Sequence, residues 1–332
     1  MKYLWRLSVL ILSIAVLANC KGDQETAVKS EDNVLNSLGT MIKQSPDDAS
    51  LFIDRAKYLY QQESYDAAIK DVRKAISIDS LQPSFHYLLS DIYLDYYQSK
   101  NAIRTLVKAE RQFPNDIRTK LKLSEDYLIL KDYENALIFA HKILNIDPLN
   151  PDAYFMIGLI NQENNNIDNA ITSFKKSVEL DPEQTDAWII LGDLLGSKDD
   201  PSAIEYYDAS IEVDRNNISA LHSKAYYLQN HNQQAEAIEL YESIKKLNRQ
   251  YEPAYLNTGI LHLSQDSISQ AYDQFNILVN NNPLSDQGFY YRGITNELLG
   301  NSELALEDYQ TAVRINPKHE KALAAVMAQG EQ

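Results

Sequence analysis

Residues 151–184 read PDAYFMIGLINQENNNIDNAITSFKKSVELDPEQ, and the rest of the chain echoes this stretch. Its twentieth residue belongs to a series: Ala68, Ala102, Ala136, Ala170, Ala203, Ala237, Ala271 and Ala305 stand 34 residues apart, with one 33-residue step from Ala170 to Ala203. Its eighth residue belongs to another: Ala56, Ser90, Ser124, Gly158, Gly192, Ala225, Gly259 and Gly293 are all small. Two small-residue tracks in step mark one unit copied eight times, and a 34-residue unit predicts two helices joined by a turn. The copies run 49–82, 83–116, 117–150, 151–184, 185–217, 218–251, 252–285 and 286–319.

The eighth and twentieth places are expected to face each other where the paired helices cross. Small residues at both let the backbones approach at the close end of the usual ~8–10 Å spacing. Bulky residues fill the fourth place (Phe52, Tyr154, Trp188, Tyr255, Phe289) and the twenty-fourth (Phe174, Tyr207, Tyr241, Phe275, Tyr309). They interlock neighbouring units and bury apolar faces that one pair cannot bury alone. Pro114, Pro148, Pro182, Pro283 and Pro317 end second helices, because the residue before proline avoids the helical region. Asp147, Asp181, Asn282 and Asn316 precede four of these prolines and suit a turn. Ser80, Arg215 and Arg249 replace the proline elsewhere, which predicts less sharply specified turns. His86 and Lys120 at the fourth place predict looser packing in the second and third copies. The residue missing from the fifth copy falls between Gly192 and Ala203, in Gly196-Ser197-Lys198-Asp199-Asp200-Pro201, and predicts a shortened turn between its helices.

Tyr154, Ile157, Gly158, Ala170, Phe174 and Pro182 make the quoted stretch similar to a tetratricopeptide (TPR) repeat, and the resemblance extends from Ala49 to His319. It implies an all-α fold, a right-handed superhelical solenoid of antiparallel helix pairs. No segment alternates with period two for long enough to suggest a sheet. Residues 31–48, with Val34, Leu38, Met41 and Pro46 at second-helix places, read as a leading half-repeat. Residues 320–332, with Leu323, Val326 and Met327 at helical spacing, read as a C-terminal capping helix. Solenoids need such caps at their open ends.

The start of the chain has a different character. Lys2 and Arg6 precede Leu7 to Leu17, a run apolar except for Ser8 and Ser13, and Leu17-Ala18-Asn19-Cys20 follows. A basic start before a short apolar run reads as an export signal over residues 1–19, too short to span a bilayer. The ending resembles the lipobox of bacterial lipoproteins, with Asn19 in place of the usual small residue. That resemblance implies that Cys20, the only cysteine, becomes a lipidated first residue, with palmitate among its acyl groups. More than one acyl chain gives lasting anchorage. The competing reading is a plain secretory signal or an uncleaved anchor. Lys21, where many inner-membrane lipoproteins carry aspartate, favours the outer membrane, periplasmic or surface-facing. Residues 20–30 read as a lipidated flexible tether.

Formal charge is −16, and −18 once Lys2 and Arg6 leave with the signal. Such a surface repels phosphate backbones, so nucleic acid is not an expected partner. Much of the charge is a solvated outer face, and the remainder favours basic or neutral partners. The six histidines are spread along the repeats without the i, i+4 spacing of a zinc site, and neither a glycine-rich phosphate loop nor a nucleophile elbow occurs. No enzyme, cofactor or metal site is expected.

The TPR resemblance implies a groove lined by the fifth, ninth and twelfth places of the first helices. Carried over residue by residue, it assigns a partner-binding role to Lys57, Tyr60, Tyr87, Asp91, Glu125 and Phe155. In the later copies it adds Asp193, Tyr226, Gln229, Tyr290 and Glu297. Tyrosines on a rigid helix face make low-entropy anchors for a peptide. The bland alternative is that these side chains pack on neighbouring helices, or on a second copy in a homodimer. The expected function is a lipid-anchored scaffold of the bacterial envelope that holds protein or peptide partners for an outer-membrane, cell-wall, secretion or motility complex. An assembly chaperone with transient clients is the alternative, and a carrier of glycan or small peptides a third.

Overall fold

The computed structural model describes residues 21–330, so the export signal at residues 1–19 and Cys20 lie outside the described residues. Every regular element among the described residues is an α-helix, and the chain divides into two compact units that meet between Leu180 and Asp181. In the first unit α1 (Lys21–Gln44) precedes four pairs: α2 (Ala49–Gln61) with α3 (Tyr65–Ile78), α4 (Pro83–Asp95) with α5 (Ser99–Gln112), α6 (Ile117–Ile129) with α7 (Tyr133–Leu144), and α8 (Pro151–Glu163) with α9 (Ile167–Leu180). The second unit holds α10 (Thr185–Gly196) with α11 (Ala203–Val213), α12 (Ile218–Asn230) with α13 (Gln234–Leu247), α14 (Glu252–Ser264) with α15 (Ile268–Asn281), and α16 (Asp286–Leu298) with α17 (Ser302–Ile315). There α18 (Glu320–Gly330) packs on α17. Within each unit a first helix packs on its own second helix, which packs on the next first helix.

Residues 21–30, expected as a flexible tether, are instead the first turns of α1. Glu25, Ala27 and Lys29 are good helix formers, and they extend a helix whose Ile42 is fixed in the core beside Phe52 and Ala56.

Local chemistry starts and stops these helices. Asp48, Asp116, Asn150, Asn217 and Ser285 accept backbone N–H groups at the starts of first helices, satisfying donors that would otherwise be orphaned. The turn inside each pair passes through one left-handed residue: Glu63, Tyr97, Lys131, Asn165, Asp199, Asn232, Asp266 and Gly300, at φ of 55° to 82°. This third track keeps the 34-residue beat up to Asp199, and its short step runs from Asp199 to Asn232. The missing residue of the fifth copy therefore lies after the tight turn. Ala203 N–H bonds to Asp200 O, three residues back, at 3.1 Å, whereas Ala170 N–H reaches Asn166 O, four back, at 3.0 Å. As a result α11 has 11 residues, and α9, α13, α15 and α17 have 14 each. What is shortened is the first turn of a helix.

Between copies, proline is not what specifies the turn. Asp79, Asp147, Asp181, Asp214, Asn248, Asn282 and Asn316 each accept the backbone N–H two residues on, at 2.9–3.2 Å. Copies with Ser80, Arg215 or Arg249 thus make the same Asx turn as the copies with Pro148, Pro182, Pro283 and Pro317. The looser packing expected at His86 and Lys120 is also absent, since both are 3% exposed. His86 sets its ring 6.3 Å from that of Phe113, and Lys120 buries its stem while its ammonium donates to Pro114 O. Tyr154 and Trp188 likewise donate to Pro148 O and Pro182 O, at 3.2 and 2.8 Å.

The eight alanines of the twentieth place are fully buried. The small eighth place answers chiefly to the twenty-fourth. A Cβ on Gly192 would lie 2.4 Å from the Tyr207 ring, and one on Gly158 2.7 Å from that of Phe174. Gly259 and Gly293 lie under Phe275 and Tyr309 in the same way. In the first three copies, where Ala56, Ser90 and Ser124 stand at the eighth place, Val72, Leu106 and Ala140 stand at the twenty-fourth.

Candidate partner-binding groove

Successive first helices touch within each unit: α4 with α6, α6 with α8, α10 with α12, and α14 with α16. Residues four and three apart on such helices share a face, so the fifth, ninth and twelfth places of neighbours come together.

In the first unit this face carries a closed charge network. Lys122 Nζ lies 2.5 Å from Asp91 Oδ1 and 3.6 Å from Glu125 Oε2. Burial works against the ammonium, but Asp91 and Glu125 outweigh it and raise the Lys122 pKa. Asp126, fully buried beside them, accepts Ser90 Oγ at 2.8 Å, and its Oδ1 has no hydrogen-bond partner. Burial pushes the Asp126 carboxyl up to about 7, with Lys122 pulling the other way. Asp91 and Glu125 are therefore held from within the chain.

Other expected groove residues of this unit are scattered. Lys57 is exposed, 3.9 Å from Asp54. Tyr60 is partly buried and donates to Asp95. Phe155 sets its edge against Phe174 with ring centres 5.5 Å apart. Tyr87, expected as an anchor for a guest, is buried: its hydroxyl donates to Asp116, Thr119 Oγ lies 3.3 Å from it, and the Arg118 guanidinium stacks 5.2 Å from its ring. Those three residues begin the next first helix, and they take both the polar tip and the face of the ring.

In the second unit buried tyrosines of the twenty-fourth place tie groove side chains from behind. Tyr241 donates to Gln229 Oε1 at 3.2 Å and Tyr309 to Glu297 Oε2 at 2.7 Å. Tyr290 lies in an aromatic group with Tyr291, Tyr309 and His319. Tyr207 donates to Asp193 Oδ1 at 2.9 Å, and the Ser223 hydroxyl stands close to this carboxylate and holds its pKa down.

Asp193 and Tyr226 meet in one place, a recess of about 540 Å³ between α10 and α12. Gly196, at the twelfth place of α10, opens it. Every other copy carries a long side chain there: Tyr60, Leu94, Leu128, Gln162, Gln229, Leu263 or Glu297. Tyr207, Tyr226, Tyr227 and His222 form its walls, and Asp193 is reachable by solvent within it. Tyr226 is half exposed and lies parallel to the His222 ring at 6.4 Å. Burial raises the pKa of Asp193 and lowers that of His222, whose Nδ1 has no hydrogen-bond partner. At the rim His231 stacks on Tyr227 at 3.9 Å, with Nε2 3.5 Å from Asp199 Oδ1. The recess had one sequence signal, the lone glycine in the twelfth-place series. Tyr207 was legible only as a packing residue of the twenty-fourth place, and Asp126 and Ser223 carried no signal, because such roles depend on which neighbouring helix a residue faces.

The family model for the tetratricopeptide repeat matches residues 49–80, 151–184 and 290–319. Among curated proteins, anaphase-promoting complex subunit 7 of Dictyostelium discoideum is 25% identical over 239 residues, 70% of this chain and 41% of its own length. The chain therefore spans less than half of that relative. Among solved structures, yeast Tom70 aligns over 92% of this chain and 64% of its own, at 20% identity and a TM-score of 0.58. Pseudomonas aeruginosa pilF aligns over 65% of this chain and 97% of its own, at 16% identity and 0.53. These likenesses establish the all-helical repeat fold. No helix among the described residues is long and apolar enough to cross a membrane. The three matched segments are tetratricopeptide repeats, and they sit within a chain whose regular elements, among the described residues, are all helices of that repeat fold.

Proposed function

We propose that this scaffold serves the bacterial cell envelope, held at the outer membrane by lipidated Cys20 and docking a protein or peptide partner on the first helices of its second unit. The observation that carries the docking site is the recess between α10 and α12, where half-exposed Tyr226 stands beside the Asp193 carboxylate. An aromatic ring with a polar tip, mounted on a rigid helix, loses little entropy when it captures a guest. A curated relative named as the subunit of a complex supports a scaffold whose role is to hold partners. Nothing in this reading needs catalysis. Envelope placement rests on Lys2, Arg6, the apolar run to Leu17, and Cys20.

Cross-linking in native envelopes, followed by identification of the captured proteins, tests the proposal. A stoichiometric partner lost with Tyr226→Ala, at unchanged helicity, is the expected result. Many weak, unfolded clients would instead mark an assembly chaperone. Cys20→Ser should release the protein from membranes, and continued retention would refute lipid anchorage.

A further inference from the structure

Asp91 and Asp193 hold the ninth place of the second and fifth copies, and the two units treat that place oppositely. Asp91 is met by Lys122, the sixth place of the following copy, at 2.5 Å. Asp193 is met by Ser223, also the sixth place of the following copy. The register is the same, with a hydroxyl in place of an ammonium. The first unit thus supplies its carboxylate with a cation from its own chain. In the second, among the described residues the carboxylate accepts from the neutral Tyr207 hydroxyl with the Ser223 hydroxyl close by, and the room a lysine would take opens beside Gly196.

Resting on the groove reading above, we propose that this recess receives the side chain of a lysine or arginine from a partner peptide, its charge set against Asp193 and its stem among the rings of Tyr207, Tyr226 and Tyr227. No lysine or arginine lines the recess among the described residues. Tyrosine faces attract cations electrostatically, and more strongly where water is partly excluded. Asp193 is exposed within the recess, so its carboxylate is open to an incoming cation. A net charge of −16 draws basic segments toward the surface and raises their rate of encounter. The remaining ionisable neighbours do not supply this charge in advance. His222 has its pKa lowered by burial, and His231 is engaged with Tyr227 O and faces Asp199.

The test probes the full-length chain with an array of random peptides about twelve residues long. The best binders are then resynthesised with norleucine, an uncharged isostere of the lysine stem, or citrulline, the uncharged counterpart of arginine. The wild-type chain should select lysine- or arginine-bearing peptides and lose at least about tenfold in affinity on neutral replacement, equivalent to ~1.4 kcal/mol. Ser223→Lys should abolish the preference by placing an internal ammonium on Asp193, as Lys122 does on Asp91. Asp193→Asn should abolish it without filling the recess, which covers the case that Ser223→Lys does not fold. Circular dichroism establishes that each variant is helical. Selection without cationic preference, or preference retained in both variants, overturns the inference. If Tyr226→Ala abolishes capture while both variants keep the preference, the groove stands and this inference falls. If no peptide binds the wild-type chain, both fall.

Discussion

The α4–α6 face of the first unit and the α10–α12 face of the second use one repeat register to opposite ends. On the first, three carboxylates and Lys122 close on one another, and the charges serve the fold. On the second, a carboxylate in the same register accepts from the Tyr207 hydroxyl, stands close to that of Ser223 and opens into a recess. The backbone unit is the same. One side chain at the sixth place decides whether a charge is satisfied internally or left for a visitor, which is how a repeat scaffold acquires a site without changing fold.

The comparison breaks most directly at Lys122. Replacing it by methionine keeps the stem but leaves Asp91 and Glu125 without their cation beside buried Asp126. Removing one partner of a buried pair leaves uncompensated charge, so Lys122→Met should cost about 3 kcal/mol, read as a lower urea midpoint. A loss below about 1 kcal/mol would show that the network is solvated and contributes little.

Asp126 sharpens the same contrast through pH. Its folded-state carboxyl is raised by burial to about 7, against an ordinary 3.8. Between those values the folded chain binds the proton more tightly than the unfolded chain does, so this group's contribution is fully present below about 4 and is lost as pH rises through about 7. From pH 5 to pH 8 the first unit should lose roughly 2.5 kcal/mol through this group. Asp126→Asn should flatten that slope, as followed by urea unfolding across the range. An unchanged slope would place the titration elsewhere.

Gly192 links fold to recess. A methyl there would stand 2.4 Å from the Tyr207 ring, and Tyr207 is the residue that donates to Asp193. Gly192→Ala should destabilise by about 2 kcal/mol through overpacking, although alanine is the better helix former. It should also displace the Tyr207 hydroxyl and weaken peptide capture. The converse change in the first unit, Ala56→Gly, falls in a core whose twenty-fourth place is Val72 and not a ring, and should cost about 1 kcal/mol through helix propensity.

The pattern of legibility follows from where constraints are strict. The small tracks were visible because a fully buried alanine or a glycine beneath a ring admits no substitute at that spacing. Asp147, Asp181, Asn282 and Asn316 were visible too, although the prolines beside them drew credit for the same turns, whereas Asp79, Asp214 and Asn248, which precede no proline, went unread. Tyr87 misled because its place in the repeat is a groove place, while the start of the following helix supplies Asp116, Thr119 and Arg118 to bury it. His86 and Lys120 misled because polarity was read as poor packing, when one ring and one long stem fill the volume and a carbonyl takes the ammonium. The recess needs Gly196 and Ser223 to be short at once, on different helices. Each looks ordinary alone, so the site appeared only when the helices were set side by side.

The smallest effect concerns the turns that both units share. The left-handed residue is Gly300 in the last copy and Asn165 in the fourth, residue types that visit this region readily, but it is Tyr97 in the second. An ordinary side chain held at φ 57° costs about 1–2 kcal/mol relative to its preferred regions. Tyr97 is 89% exposed, so little packing offsets that cost. Tyr97→Gly removes the strain but gives the unfolded chain more freedom, which takes back about 0.4–1 kcal/mol. The net expectation is a gain of roughly 0.5 kcal/mol, seen as a urea midpoint shifted upward in the first unit. Asn165→Gly should change almost nothing by the same measure. If Tyr97→Gly destabilises while Asn165→Gly is neutral, the tyrosine makes a contact that outweighs its backbone strain, and the turn of the second copy is held by its side chain as well as its backbone.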